Sequence, residues 1–166
     1  MLKRMTLAMA LIILASVSAS SQIISFGLGA NLTFPSAELK NNVATGIGAT
    51  ALAKFGLLPI VDLTGGVEYI KFTDKDITVS NIPESGTGSA FGLLVGGRIS
   101  ILAIGYVGAE TGTYSFTKKV AGSENNYTKG FFGPMLGVKL GMFDFCGRYV
   151  SAGDDSFWAL RGLIWL

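Results

Sequence analysis

Nine charged residues are the ones best placed to do chemistry in this 166-residue chain: Lys54, Asp62, Glu68, Arg98, Glu110, Lys139, Asp144, Arg148 and Arg161. Each stands singly among apolar, Gly and Thr neighbours, and the cations and anions nearly balance. Gathered away from water, such a set has one default role, mutual neutralisation. An isolated charge in a poorly hydrated interior is costly, whereas a paired one is tolerated. A second role is an ion path whose pairs rearrange. Catalysis has less to work with. The chain has no His, which removes the usual general base and any Ser–His–Asp constellation. The sole Cys, Cys146, reads as filler rather than a nucleophile, because it has no His partner and lies at mid-strand. The carboxylates Asp74, Asp76, Asp154 and Asp155 match no EF-hand spacing and read as solvated loop charge. No catalytic, cofactor-binding or metal-ligating residue is assigned, and no cofactor is expected.

The nine charges share a position as well as a type. From Gln22 onward the chain alternates with a period of two, the signature of strands rather than helices. Eight segments follow: residues 23–34, 43–56, 60–72, 89–101, 105–116, 129–140, 143–151 and 156–166. One face of each is apolar or aromatic, as in Ile24, Phe26, Leu28, Ala30, Leu32 and Phe34. The other collects Gly, Ser, Thr and the nine charges. Lys71 is the exception, falling on the apolar face at the end of its segment. Each segment has about ten residues, what a tilted strand needs to cross a bilayer. Polar loops at 35–42, 73–88 and 117–128 alternate with short turns at 57–59, 102–104 and 141–142, the asymmetry of outer-membrane barrels. The connection at 152–155 is short although it belongs to the long-loop end. Gly141-Met142 fits a type II′ hairpin turn, with Gly first. Pro134 cannot donate to a ladder, so a bulge, or pairing that starts near Met135, is expected there.

Composition supports an inverted arrangement, with apolar faces outside and charges inside. Charged residues are 14% of the chain, well below the roughly 25% of soluble domains. Gly, at 23 residues, argues against helices. In lipid only helices and closed barrels satisfy the backbone. An exported soluble barrel with an apolar lumen is the alternative, and it would leave too few charges for its exterior. Lys3 and Arg4, the apolar run 5–15 and the small-x-small sequence Val17-Ser18-Ala19 form a secretory signal peptide. The expected division is therefore residues 1–19 as signal peptide and 20–166 as barrel. Without Lys3 and Arg4 the remaining basic residues equal the 11 acidic ones, so there is no basic surface for nucleic acid. Hairpin registers set Lys139 opposite Asp144, Lys54 opposite Asp62, and Arg98 diagonal to Glu110. Aromatic girdles are expected at both rims. Phe34, Tyr69, Phe72, Phe116, Phe132, Tyr149 and Trp158 would form one, and Phe26, Phe55, Phe143, Phe145 and Trp165 the other.

With these segments in order, including the opening ISFGLGANLTF and the closing FWALRGLIWL, the mature chain resembles the small eight-stranded outer-membrane β-barrel family. That family includes the outer membrane protein A transmembrane domain and the outer membrane protein X type. The resemblance implies an all-β, antiparallel, up-and-down transmembrane barrel in a bacterial outer membrane. Its partners would be outer-membrane lipid, lipopolysaccharide and the outer-membrane assembly machinery, and it would be a monomer. The family's final strand carries an assembly signal that usually ends in an aromatic residue. Here the end is Leu166, with Trp165 before it. No catalytic motif is shared by the family. The implied function is non-enzymatic, in envelope structure or surface interaction through the loops. A narrow pore or a carrier for small or apolar solutes is the alternative.

Overall fold

The structure, a computed structural model, describes residues 24–37, 39–79, 82–101, 104–120 and 123–166. The expected signal peptide lies outside them. Eight strands run in chain order: β1 (Ile24–Ala37), β2 (Gly46–Leu58), β3 (Val61–Val79), β4 (Ile82–Ile101), β5 (Gly105–Val120), β6 (Ser123–Leu140), β7 (Phe143–Ala152) and β8 (Asp155–Trp165). Each pairs antiparallel with its neighbours, and β1 pairs with β8 to close the barrel. Within the barrel wall closure leaves no sheet edge, so strand backbone groups bond around the ring without water.

Side-chain alternation then sorts the residues. Ile24, Phe26, Leu28, Leu32, Phe91, Leu93, Leu136 and Leu160 stand exposed on the outer wall, Leu136 at 65%. The opposite face of the same strands is buried, and it carries ionic groups such as Arg148 and Arg161, each 1% exposed. An apolar outside and an ionic inside are the wall of a transmembrane barrel, and the reverse of a soluble barrel with an apolar lumen. Lys71 is exposed on the outer wall, paired in register with Ile47 and Ser89.

Several sequence expectations are corrected. The polar segments 73–88 and 117–128 are mostly strand. The β3–β4 ladder continues to Val79↔Ile82 and the β5–β6 ladder to Val120↔Ser123. The β3–β4 hairpin continues beyond the barrel wall as a two-stranded ribbon, while β5 stays paired with β4 as far as Lys119↔Thr87 and β6 runs on beside β5 alone. The polar residues of these segments lack the hydrophobic alternation by which a strand is read. Pro35 belongs to β1, paired with Phe157. Beyond it, Leu39–Asn42 forms one helical turn, α1, closed by the Val43 N–H donating to the Leu39 carbonyl at 3.1 Å. Leu39 and Val43 are buried in the barrel mouth. The turn expected at 57–59 is instead Pro59–Ile60, with a register shift between Gly56 and Leu58. Lys54 therefore stands opposite Thr64, and Asp62 opposite Gly56. Phe72, Phe116 and Trp165 do not belong to the girdles. All three point inward and are buried, as the parity of their own strands requires.

Pro134 pairs with Ala109 on the β5 side, while the β6–β7 ladder skips Gly133 and Pro134 without losing register and runs unbroken from Met135. No bulge is needed. Gly141 has φ 63°, the left-handed value a type II′ turn requires at its first central position. Glycines on the inner wall make seats for rings on the neighbouring strand. A Cβ on Gly92 would lie 2.5 Å from the Tyr114 ring, and one on Gly27 2.9 Å from Trp165. Both are directly paired residues, so the ring covers the glycine backbone across the strands.

Candidate functional site: the ionic lumen

The lumen has three levels. At the long-hairpin end it is hydrocarbon: Leu39, Val43, Ile70, Phe72, Phe116, Phe131, Val150 and Phe157 pack together. Tyr114 forms the floor of this plug. Its ring lies 4.7 Å from Phe131 and meets Phe157 edge-on at 5.6 Å.

The second level is ionic. Arg148 Nη2 donates to Glu68 Oε1, and Arg148 Nη1 donates to Glu110 Oε2 at 2.8 Å. Arg161 Nη2 donates to Glu110 Oε1, and its Nη1 to Glu110 Oε2 at 3.2 Å. Tyr114 joins the two levels, its hydroxyl donating to Glu68 Oε1 at 2.6 Å. Thr50 donates to Glu68 Oε2 at 2.9 Å. Two guanidinium forks and two carboxylates thus neutralise one another, with hydroxyls completing the acceptors, the arrangement that makes buried charge tolerable. Among the described residues, the Nε groups of Arg148 and Arg161, Asn31 Nδ2 and Thr33 Oγ1 are buried without a hydrogen-bond partner.

The third level opens at the short-turn end. Asp144 accepts from Arg98 Nη1 at 2.6 Å, from the Tyr106 hydroxyl at 2.6 Å and from Trp165 Nε1 at 2.9 Å. Arg98 lies over the Tyr106 ring at 4.8 Å, and Lys54 over the Trp165 ring at 4.8 Å. Cys146 is buried beside Tyr106 and Met135.

The structure therefore gathers the nine sequence-selected charges on one inner face but pairs them differently from the hairpin registers. Lys139 does stand opposite Asp144, yet Asp144 turns to Arg98. Arg98 is diagonal to Glu110, yet Glu110 goes to Arg148 and Arg161. Lys54 and Asp62 lose their facing register to the β2 irregularity. The observed partners reach across the lumen, β7 to β3 and β4 to β7, where two-dimensional register carries no information. Tyr106, Tyr114, Thr50 and Trp165 were missed. Inner-face parity places them correctly, and only their charge neutrality hid them.

Asp155 corrects another expectation. It is not a solvated loop charge but is buried at 3% exposure, accepting from Lys129 Nζ at 2.9 Å and from the Tyr127 hydroxyl at 3.0 Å. Burial, and then the neighbouring Asp155 carboxylate, push the Tyr127 hydroxyl upward in pKa, so it stays a neutral donor. Asp154 is exposed, and the side chains of Asp74 and Asp76 lie outside the described residues. Among the described residues no cluster of His, Cys, Asp and Glu is arranged to hold a metal ion.

No family profile and no curated protein sequence matches the chain. Solved structures do. The attachment invasion locus protein Ail of Yersinia pestis, crystallised with the heparin analogue sucrose octasulfate, superposes with a TM-score of 0.60 at 13% identity. Neisserial surface protein A (NspA) does so with a TM-score of 0.60 at 14% identity. Each alignment covers 86% of this chain and 96% of the other. The chain has the fold of these small eight-stranded barrels. At such identities the likeness carries the architecture alone, and the ionic lumen must be read from its own residues.

Proposed function

We propose that the chain is an integral protein of a bacterial outer membrane, non-enzymatic, that serves envelope structure or surface interaction through its long hairpins. The observation that carries this reading is the inverted wall, with Leu136, Phe132, Ile47 and Trp158 on the outside and Arg148, Arg161, Glu68 and Glu110 sealed within. Hydrocarbon is the medium in which that exterior is stable. Residues 1–19 act as the export signal, and the barrel at 20–166 is inserted by the outer-membrane assembly machinery among lipid and lipopolysaccharide, as a monomer.

Two features favour the hairpins over the lumen as the working part. The lumen is filled by the plug and by the crossed ion pairs, as the bore of an eight-stranded barrel allows. This opposes a steady pore and predicts no open-state conductance in planar bilayers. The β3–β4 and β5–β6 hairpins project beyond the belt and offer a surface for recognition. Ail, which shares the fold, was crystallised with a heparin analogue. A sulfated polyanion is accordingly the first ligand class to test on the hairpins.

Labelling of intact cells with a membrane-impermeant maleimide tests the orientation. Cys146 is buried and silent. Asn126→Cys, on the β5–β6 hairpin, should label on intact cells, whereas Met142→Cys, in the short turn, should label only after lysis. The reverse pattern, or recovery of the protein in the soluble fraction, contradicts the proposal.

A further inference from the structure

The charges at the short-turn mouth do not balance. Glu68 and Glu110 are matched by Arg148 and Arg161, and Asp144 by Arg98. This leaves Lys54 and Lys139 against Asp62 alone. The two lysines, on β2 and β6, line one small cavity together with Asp62. Among the described residues neither lysine forms an ion pair. Like charges held near one another are destabilising, and an anion between them relieves that cost.

A second observation points to the same place. Arg98 is 3% exposed, and although its Nη1 is bound to Asp144, its Nε and Nη2 have no hydrogen-bond partner among the described residues. Asp144 itself already has three donors. Arg98, Lys54, Lys139 and Asp62 all line one cavity of about 50 Å³ at this mouth, together with Ser100 and Tyr106. That is several times the space one water needs. Two lysines and an arginine with unpartnered guanidinium nitrogens, all lining one small cavity, suit a compact, multiply accepting anion.

We propose that this mouth binds a phosphate-type oxyanion, held by Lys54, Lys139 and the free edge of Arg98. The anion comes either free from solution or as the headgroup of a phospholipid in the facing leaflet. This assignment rests on the lumen geometry and does not depend on what the hairpins recognise.

Trp165 is the reporter, since its ring lies under Lys54 and its indole N–H is bound to Asp144. Trp158→Phe, a change on the outer wall, leaves Trp165 as the single tryptophan. The full barrel in a maltoside detergent, which contains no phosphate, is titrated with inorganic phosphate at constant ionic strength while the indole N–H resonance is followed. A saturable shift is expected, absent when chloride replaces phosphate. Lys54→Gln with Lys139→Gln should weaken the response roughly tenfold or more, the loss of two charge-assisted bonds, while Lys54→Arg with Lys139→Arg should retain it. Heat-modifiable gel migration confirms that each variant is folded. Phosphatidylglycerol added to the micelles separates the sources: a headgroup ligand shifts the resonance at lower concentration than free phosphate does. No saturable shift, an equal shift with chloride, or an unchanged response in the folded Gln variant overturns the proposal.

Discussion

The two ends of the lumen are closed by different physics. Toward the long hairpins the bore is stopped by Phe72, Phe116, Phe131 and Phe157 with Leu39 from α1. Each side chain there contributes through its own buried area, and removing one leaves a cavity while the rest remain satisfied. In the middle and toward the short turns, stability comes from groups that are favourable only together. Glu110 is tolerable because Arg148 and Arg161 bind it, and they are tolerable because Glu110 and Glu68 bind them. The apolar end should therefore lose stability in independent steps, and the ionic middle as a coupled unit.

The largest expected effect breaks the coupled unit. Glu110→Leu leaves two buried guanidinium groups sharing one carboxylate and should cost about 3–5 kcal/mol. Urea titration read by heat-modifiable migration would show it. Adding Arg161→Leu to this variant should recover stability, because the pair is then removed as a pair. Further loss in the double variant would mean the charges act independently. Next in size is Phe157→Ala in the plug, at about 3 kcal/mol. It should add to Phe72→Ala only to the extent that the two cavities remain separate, and the same titration checks this. Tyr114→Phe probes the boundary. The ring stays in the plug while Glu68 loses the hydroxyl bonded at 2.6 Å, for about 1–2 kcal/mol. The smallest effect is expected from Lys129→Met. The ammonium is partly exposed and Asp155 keeps the Tyr127 hydroxyl, so the loss should be at most about 1 kcal/mol. If that order inverts, with the rim pair outweighing the central ions, the contrast between the two ends does not hold.

Much of the barrel is legible in the sequence because alternation is a local property. The faces of β1, β7 and β8 follow from residues such as Leu28, Phe145 and Leu160, and the Gly141 turn fixes Lys139 against Asp144. What escaped is of three kinds. The Gly56–Leu58 irregularity moves Lys54 away from Asp62, and nothing in Phe55-Gly56-Leu57-Leu58 distinguishes a bulge from a three-residue turn. The extended ends of β3–β6 are mostly polar in sequence, so no sustained hydrophobic period marks them as strand. The ion pairs are cross-lumen contacts, Arg98 to Asp144 and Arg148 to Glu68, decided by how far a guanidinium reaches across a narrow bore rather than by neighbours in the sheet. Trp165, Phe72 and Phe116 are a different matter. Strand parity alone places them inside, and nearness to a rim does not turn an inward side chain outward.

The two tryptophans offer the most direct test of the inverted wall. Trp158 is 58% exposed on the outside and Trp165 is 7% exposed within. In vesicles of lipids brominated along their chains, the fluorescence of the Trp165→Phe protein, which keeps Trp158, should be strongly quenched. That of the Trp158→Phe protein, which keeps Trp165, should be nearly unchanged. Strong quenching of Trp165, or none of Trp158, would contradict the account.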